Sequence, residues 1–207
     1  MTAGTASQAT DRSDFRTVVA GGAKIGAATA LAVVLSAVVT PLGPAAVRPA
    51  LQALVVLAAA GAASFLPAHW VGARSTEGIA GAATVGFVGT VVFTAIDIVV
   101  LRPLNHVVTI YAWTWDAVGG NSTWWYLPIW WMLGTYVAWM GGLLVAGRAA
   151  RGETALARVA APVLAVALAL TVAARMGPLG IDLPVAVGGG FTIALTGFAV
   201  VAIARTA

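Results

Sequence analysis

The sequence predicts an all-α, polytopic membrane bundle of about six transmembrane helices, and three observations carry that prediction. Of 207 residues, 60% are hydrophobic, only 9% are charged, and the mean hydropathy is +0.96. Soluble domains carry about 25% charged residues because their surfaces face water. Eleven Lys+Arg and seven Asp+Glu do not cover a soluble surface of this size. The apolar residues also fall in long runs, close to the ~20 residues that a helix needs to cross a ~30 Å hydrocarbon core. Barrel strands would instead alternate apolar and polar residues in segments of about ten. A soluble enzyme, a disordered chain and a disulfide-stapled secreted module are therefore excluded. The absence of cysteine removes disulfides and thiolate metal sites as well.

The elements follow in order. Residues 1–16 are polar and of mixed charge, and read as a flexible cytoplasmic leader with Ser13 or Asp14 as N-cap of the first helix. A cleaved signal peptide fits less well, because Asp11 and Asp14 precede an apolar run that is too long for one. Residues 17–207 form a single six-span domain. The spans are expected at about 18–40, 49–67, 78–101, 124–146, 159–174 and 183–204. Pro41 to Pro44 end the first, Pro67 the second, and Arg102-Pro103 the third. The fourth carries no charge, the fifth is bracketed by Arg158 and Arg175, and the sixth lies between Asp182 and Arg205.

With six spans both termini share a side. That side collects Arg12, Arg16, Lys24, Arg74, Arg148, Arg151, Arg158 and Arg205, against Arg48, Arg102 and Arg175 opposite. The positive-inside rule then places both termini in the cytoplasm, and the preference for Arg over Lys in an Ala-, Val- and Gly-rich chain reads as a bacterial inner-membrane protein. The same scatter of single basic residues excludes a nucleic-acid face, which needs them clustered.

Small residues line two spans at helix-contact spacing. Gly78, Ala82, Gly86 and Thr90 form one row, with Gly81, Val85 and Gly89 beside it. Gly188, Gly189, Gly190, Thr192, Thr196 and Gly197 do the same in the last span. Such faces let membrane helices approach closely. The bland expectation is packing within one chain; the sharper one is a homo-oligomer or a larger membrane complex.

Seven of the eight Trp lie between Leu104 and Met140, with all three Tyr. Residues 104–118 suit an amphipathic aromatic helix lying at the outer interface. Trp124, Trp125 and Tyr126 fit an aromatic belt, and Asn121-Ser122-Thr123 reads as capping rather than glycosylation. Trp113, Trp115, Trp130, Trp131 and Trp139 are the candidate ligand-binding residues, for a polyene-like apolar molecule or a pigment, with space-filling as the competing role. The run Trp124-Trp125-Tyr126-Leu127-Pro128-Ile129-Trp130-Trp131 resembles aromatic helices of small polytopic proteins that handle isoprenoids or tetrapyrroles. It completes no motif of theirs, and no residue role is carried over.

Asp97 is the one acidic residue inside a span. A carboxylate at membrane depth is costly, which makes it a functional candidate by default. Arg102, five positions on, falls on another face of an α-helix, so Arg175 or Arg48 is the expected partner, and Asp97–Arg175 the expected structural pair. His106 and Asp116 share its side and complete the catalytic candidates, although residues ten apart in one straight helix are about 15 Å apart. Two His on opposite sides and no Cys argue against a metal site. Phosphate-loop, zinc-protease and nucleophile-elbow motifs are absent from the sequence, and no cofactor is expected. Glu77 and Glu153 read as solvated loop residues.

Three functions follow from these residues. The first is a non-catalytic accessory or scaffold subunit, or a binder of a lipid-like ligand. The second is a small-solute or ion transporter using Asp97. The third is an intramembrane enzyme acting on a lipid or isoprenoid.

Overall fold

The computed structural model describes residues 11–42, 44–105, 126–153, 155–177 and 180–205. It is helical throughout, with no strand among the described residues. Six long helices follow one another: α1 (Phe15–Leu42), α2 (Arg48–Val71), α3 (Thr76–Ile96), α4 (Tyr126–Ala149), α5 (Leu156–Met176) and α6 (Leu183–Ala204). A π-helical turn, Asp97–Leu101, and one α-helical turn, Arg102–Asn105, prolong α3. Among the described residues, five stretches are long and apolar enough to cross a membrane: Phe15–Val38, Arg48–Val71, Thr76–Leu104, Leu156–Met176 and Leu183–Ala204. The chain is an all-α, multi-pass membrane protein. The segment holding His106, Tyr111, Trp113, Trp115, Asp116, Trp124 and Trp125 lies outside the described residues.

Local chemistry sets the helix ends. Asp14 caps α1, its carboxylate accepting from Thr17 N at 3.0 Å and from the Thr17 hydroxyl at 2.6 Å. These bonds to the ionised form hold the Asp14 carboxyl below its usual range. α2 runs past Pro67 instead of ending there, and stops at Gly72, whose φ is +66°. Gly72 N donates to His69 O and Ala73 N to Ala68 O, a Schellman stop that needs a left-handed residue. α5 begins at Leu156, three residues before its apolar run, because Arg158 joins the first turn with its stem exposed.

Contacts between helices give an up-and-down order. Along α1 and α3 they climb together, Ser13 beside Gly81, Gly21 beside Val85 and Gly26 beside Gly89. Along α3 and α4 they run in opposition, Gly142 beside Ala82, Gly86 beside Ala138 and Thr94 beside Trp131. α5 and α6 are also antiparallel, Thr171 meeting Ala186 and Gly190 meeting Ala167. α4 and α6 are parallel, Tyr136 meeting Thr196 and Gly147 meeting Ala202. The start of α1 and the end of α6 therefore share one end of the bundle. α2 touches every other long helix.

Both rows of small residues on α3 are used within the chain. Gly81, Val85 and Gly89 face α1, while Ala82, Gly86 and Thr90 face α4. A Cβ on Gly26 would lie 2.7 Å from Gly89 O, and one on Gly86 would lie 2.5 Å from the Ala138 Cβ. Neither site has room for a side chain, so backbone contact substitutes for side-chain packing. The other half packs differently. Phe191, Leu144, Leu195 and Val163 are fully buried between α4, α5 and α6, with Phe65 edge-on to Phe191 at 6.5 Å.

Candidate functional site

Asp97 sits at the far end of α3 from the chain terminus and is 3% exposed. Its Oδ2 accepts from Arg102 Nε at 2.9 Å. This corrects the expected Asp97–Arg175 pair; Arg175 Nη1 instead donates to Ile181 O at 3.3 Å. The reason is the π turn. In an α-helix, residues five apart point about 140° away from each other. Here Arg102 N donates to Asp97 O, the i→i+5 bond of a π-helix, which stacks residue 102 above residue 97. The wide turn also lies directly before Pro103, which has no N–H to give. Helix therefore continues through Arg102-Pro103 to Asn105, where the sequence suggested a stop. Of the other catalytic candidates, His106 and Asp116 lie outside the described residues. No group of three potential metal ligands occurs among the described residues.

The aromatic residues divide. Trp131 and Trp139 line one groove together with Phe87, Met132, Tyr136 and Thr192, about 750 Å³ in volume and almost wholly apolar. α4 supplies most of it, because residues 132, 135, 136 and 139 recur at helical spacing on one face. Trp131 stands edge-on to Phe87 at 6.1 Å and donates from Nε1 to Thr94 Oγ1 at 3.3 Å. Trp130 is half-buried and does not line this groove. Trp113 and Trp115 lie outside the described residues.

Hydroxyls around the groove are committed elsewhere. Tyr136 and Thr196 share a hydrogen bond of 2.6 Å, Thr135 donates to Trp131 O, and Thr192 donates to Gly188 O. Trp139 is the exception. It is 46% exposed, and its indole N–H has no hydrogen-bond partner among the described residues. It stands about 20 Å along α4 from Tyr126 and about 15 Å from Ala149, near the middle of the helix. A second apolar groove of about 590 Å³, between α2 and α5, is lined by Leu54, Leu57, Phe65 and Leu164 among others and offers no such donor.

The leader and the loops add two findings that the sequence did not announce. Asp11, expected within a flexible leader, is bound across the α2–α3 turn. It accepts from Arg74 N at 3.1 Å, Ser75 N at 3.1 Å and Gly78 N at 3.0 Å, and also from the Ser75 hydroxyl. Arg12 N donates to Val71 O at 2.7 Å. Ser75 caps α3, its hydroxyl accepting from Gly78 N at 3.3 Å, and nothing in the sequence says which distant acid reinforces that cap. Glu153, expected to be solvated, pairs with Arg148 at 2.9 Å. No protein family, no curated protein and no solved structure matches the chain.

Proposed function

We propose that the chain is a non-catalytic protein of a bacterial cytoplasmic membrane that binds a lipid-like, apolar molecule in the Trp131–Trp139 groove. The observation that carries this reading is the indole N–H of Trp139, on an apolar groove near the middle of α4 and without a hydrogen-bond partner among the described residues. An unmade hydrogen bond in such surroundings costs about 1–3 kcal/mol. A ligand that supplies one acceptor oxygen recovers it, while its hydrocarbon covers Trp131, Phe87 and Met132. The ligand class is therefore an elongated apolar chain with a carbonyl, ether or hydroxyl oxygen. The ion pair of Asp97 favours a structural role for that acid over a proton-carrying or catalytic one. Transport and lipid chemistry rank below binding for that reason. All six helices span in this reading, and the eight basic residues at the terminus-bearing end face the cytoplasm.

The test is mass spectrometry of small molecules retained by the protein in mild detergent. An apolar, oxygen-bearing compound is expected at near-stoichiometric amount. It is expected to be lost in Trp131→Ala/Trp139→Ala and weakened in Trp139→Phe, which keeps a ring and removes the donor. Retention of bulk lipid alone, or equal retention by the folded double variant, would defeat the proposal.

A further inference from the structure

At the opposite end of the bundle from Asp97, the start of α1 meets the end of α2 around a second, polar pocket of about 380 Å³. Arg16, Ala20 and Lys24 fall at successive i, i+4 positions of α1, and Arg12, His69 and Trp70 complete the wall. Ala20 and Gly21 leave the space between the cations. Lys24 Nζ lies 5.4 Å from the centre of the Trp70 ring. Lys24 enters about 13.5 Å along α1 from Phe15, inside the apolar run, and folds back toward an indole at the end of α2. Trp at a helix end marks the membrane interface, so the ammonium is held at headgroup level.

Among the described residues the cations here meet no carboxylate in an ion pair. Asp14 is engaged by Thr17, and Asp11 by the backbone of the α2–α3 turn. The side chains of Arg12 and Arg16 form no ion pair among the described residues. Below Lys24, Leu31 and Leu35 continue the same stripe of α1 and are exposed. Unpaired cations above an apolar track complement one kind of molecule, with an anionic phosphate above and hydrocarbon chains below.

We infer that Arg12, Arg16, Lys24 and Trp70 form a site for the phosphate headgroup of an anionic phospholipid, with its acyl chain along Leu31 and Leu35. The site is independent of the aromatic groove and stands whether or not that groove holds a ligand.

Native mass spectrometry of the full chain, delipidated and then given phosphatidylglycerol or phosphatidylcholine, tests it. The wild type is expected to prefer the anionic lipid, and Arg16→Gln/Lys24→Gln to lose about thirtyfold in that preference, from ~1 kcal/mol per cation. Arg158→Gln/Arg205→Gln, which removes two cations from the same end outside the pocket, is expected to leave the preference intact. Should the pocket double variant fail to fold, the exposed Lys24→Gln alone reads the same loss at about fivefold. Equal losses in the two double variants would show diffuse attraction and overturn the site. So would a wild type with no anionic preference, or inorganic phosphate competing as well as the lipid, which would assign the pocket to a free anion.

Discussion

The two ends of α3 each hold an aspartate, and the two are held in opposite ways. Asp11 reaches the N-terminus from sixty-odd residues away and meets backbone N–H groups at the exposed end of the helix. Asp97 lies within the prolonged helix itself, is buried, and meets one guanidinium five residues on. At the N-terminus the helix supplies the positive partner, because its first N–H groups have no carbonyl to bond and its dipole favours an anion. At the C-terminal end the dipole is unfavourable to a carboxylate, so a cation has to be brought to it. The π turn brings it. Asp11 therefore fastens a segment to the bundle, whereas Asp97 requires a change in the bundle's own backbone.

The largest expected effect is at the buried end. Arg102→Gln removes the guanidinium bonded to the Asp97 carboxylate and is expected to cost about 3 kcal/mol, read as a shift in denaturant-induced unfolding in detergent. Asp97→Asn combined with Arg102→Gln is expected to recover most of that loss, because both charges of the pair are then removed together. A double variant as unstable as Arg102→Gln would place the damage elsewhere.

Deleting the exposed Val99 comes next. It removes the extra residue of the wide turn and leaves the acid and arginine at i and i+4, a spacing that a regular helix can pair. The expected cost is about 1–2 kcal/mol, below that of Arg102→Gln. A larger loss would show that the π turn serves packing rather than the ion pair.

At the exposed end, Asp11→Ala is expected to cost about 1 kcal/mol, the usual worth of a capping side chain. Cleavage of the leader by added protease should rise while the helices stay intact. An unchanged cleavage rate would mean that the Arg12–Val71 backbone bond alone holds the segment.

The smallest effect concerns Asp14. Its carboxyl is held below the usual range, chiefly by the Thr17 hydroxyl and then by Thr17 N–H. The folded chain thus favours the ionised form, so the cap is complete at neutral pH. It is lost as pH falls below about 4, through the lowered value. Faster amide exchange in the first turn of α1 at pH 3, after correction for the intrinsic rate, is the readout; Asp14→Asn should flatten that dependence.

Much of this molecule was legible in its sequence. Six apolar runs became six long helices, and the last, 183–204, coincides with Leu183–Ala204. Both small-residue rows of the third span proved to be contact faces, one for α1 and one for α4. Helix ends were less legible, because hydropathy marks where a helix leaves lipid and not where it stops being a helix. Hence α2 passes Pro67 and α5 starts before Val159. The aromatic cluster was visible, but its division into Trp131 and Trp139 on the groove and Trp130 off it was not, since that depends on where α3 and α6 stand against α4.

Composition by itself determined the solvent: with 9% charged residues the chain has to place its helices in lipid. It determined the long apolar helices and the scarcity of groups able to do chemistry. Tertiary structure decided the partners of those groups. Asp97 and Arg102 belong together only because one turn is π-helical, and Asp11 finds Ser75 and Gly78 only because α1 runs beside α3. Spans follow from transfer energies, which each residue carries with it wherever it sits. Pairing depends on backbone hydrogen-bond register and on close helix approach, which exist only once the chain has packed.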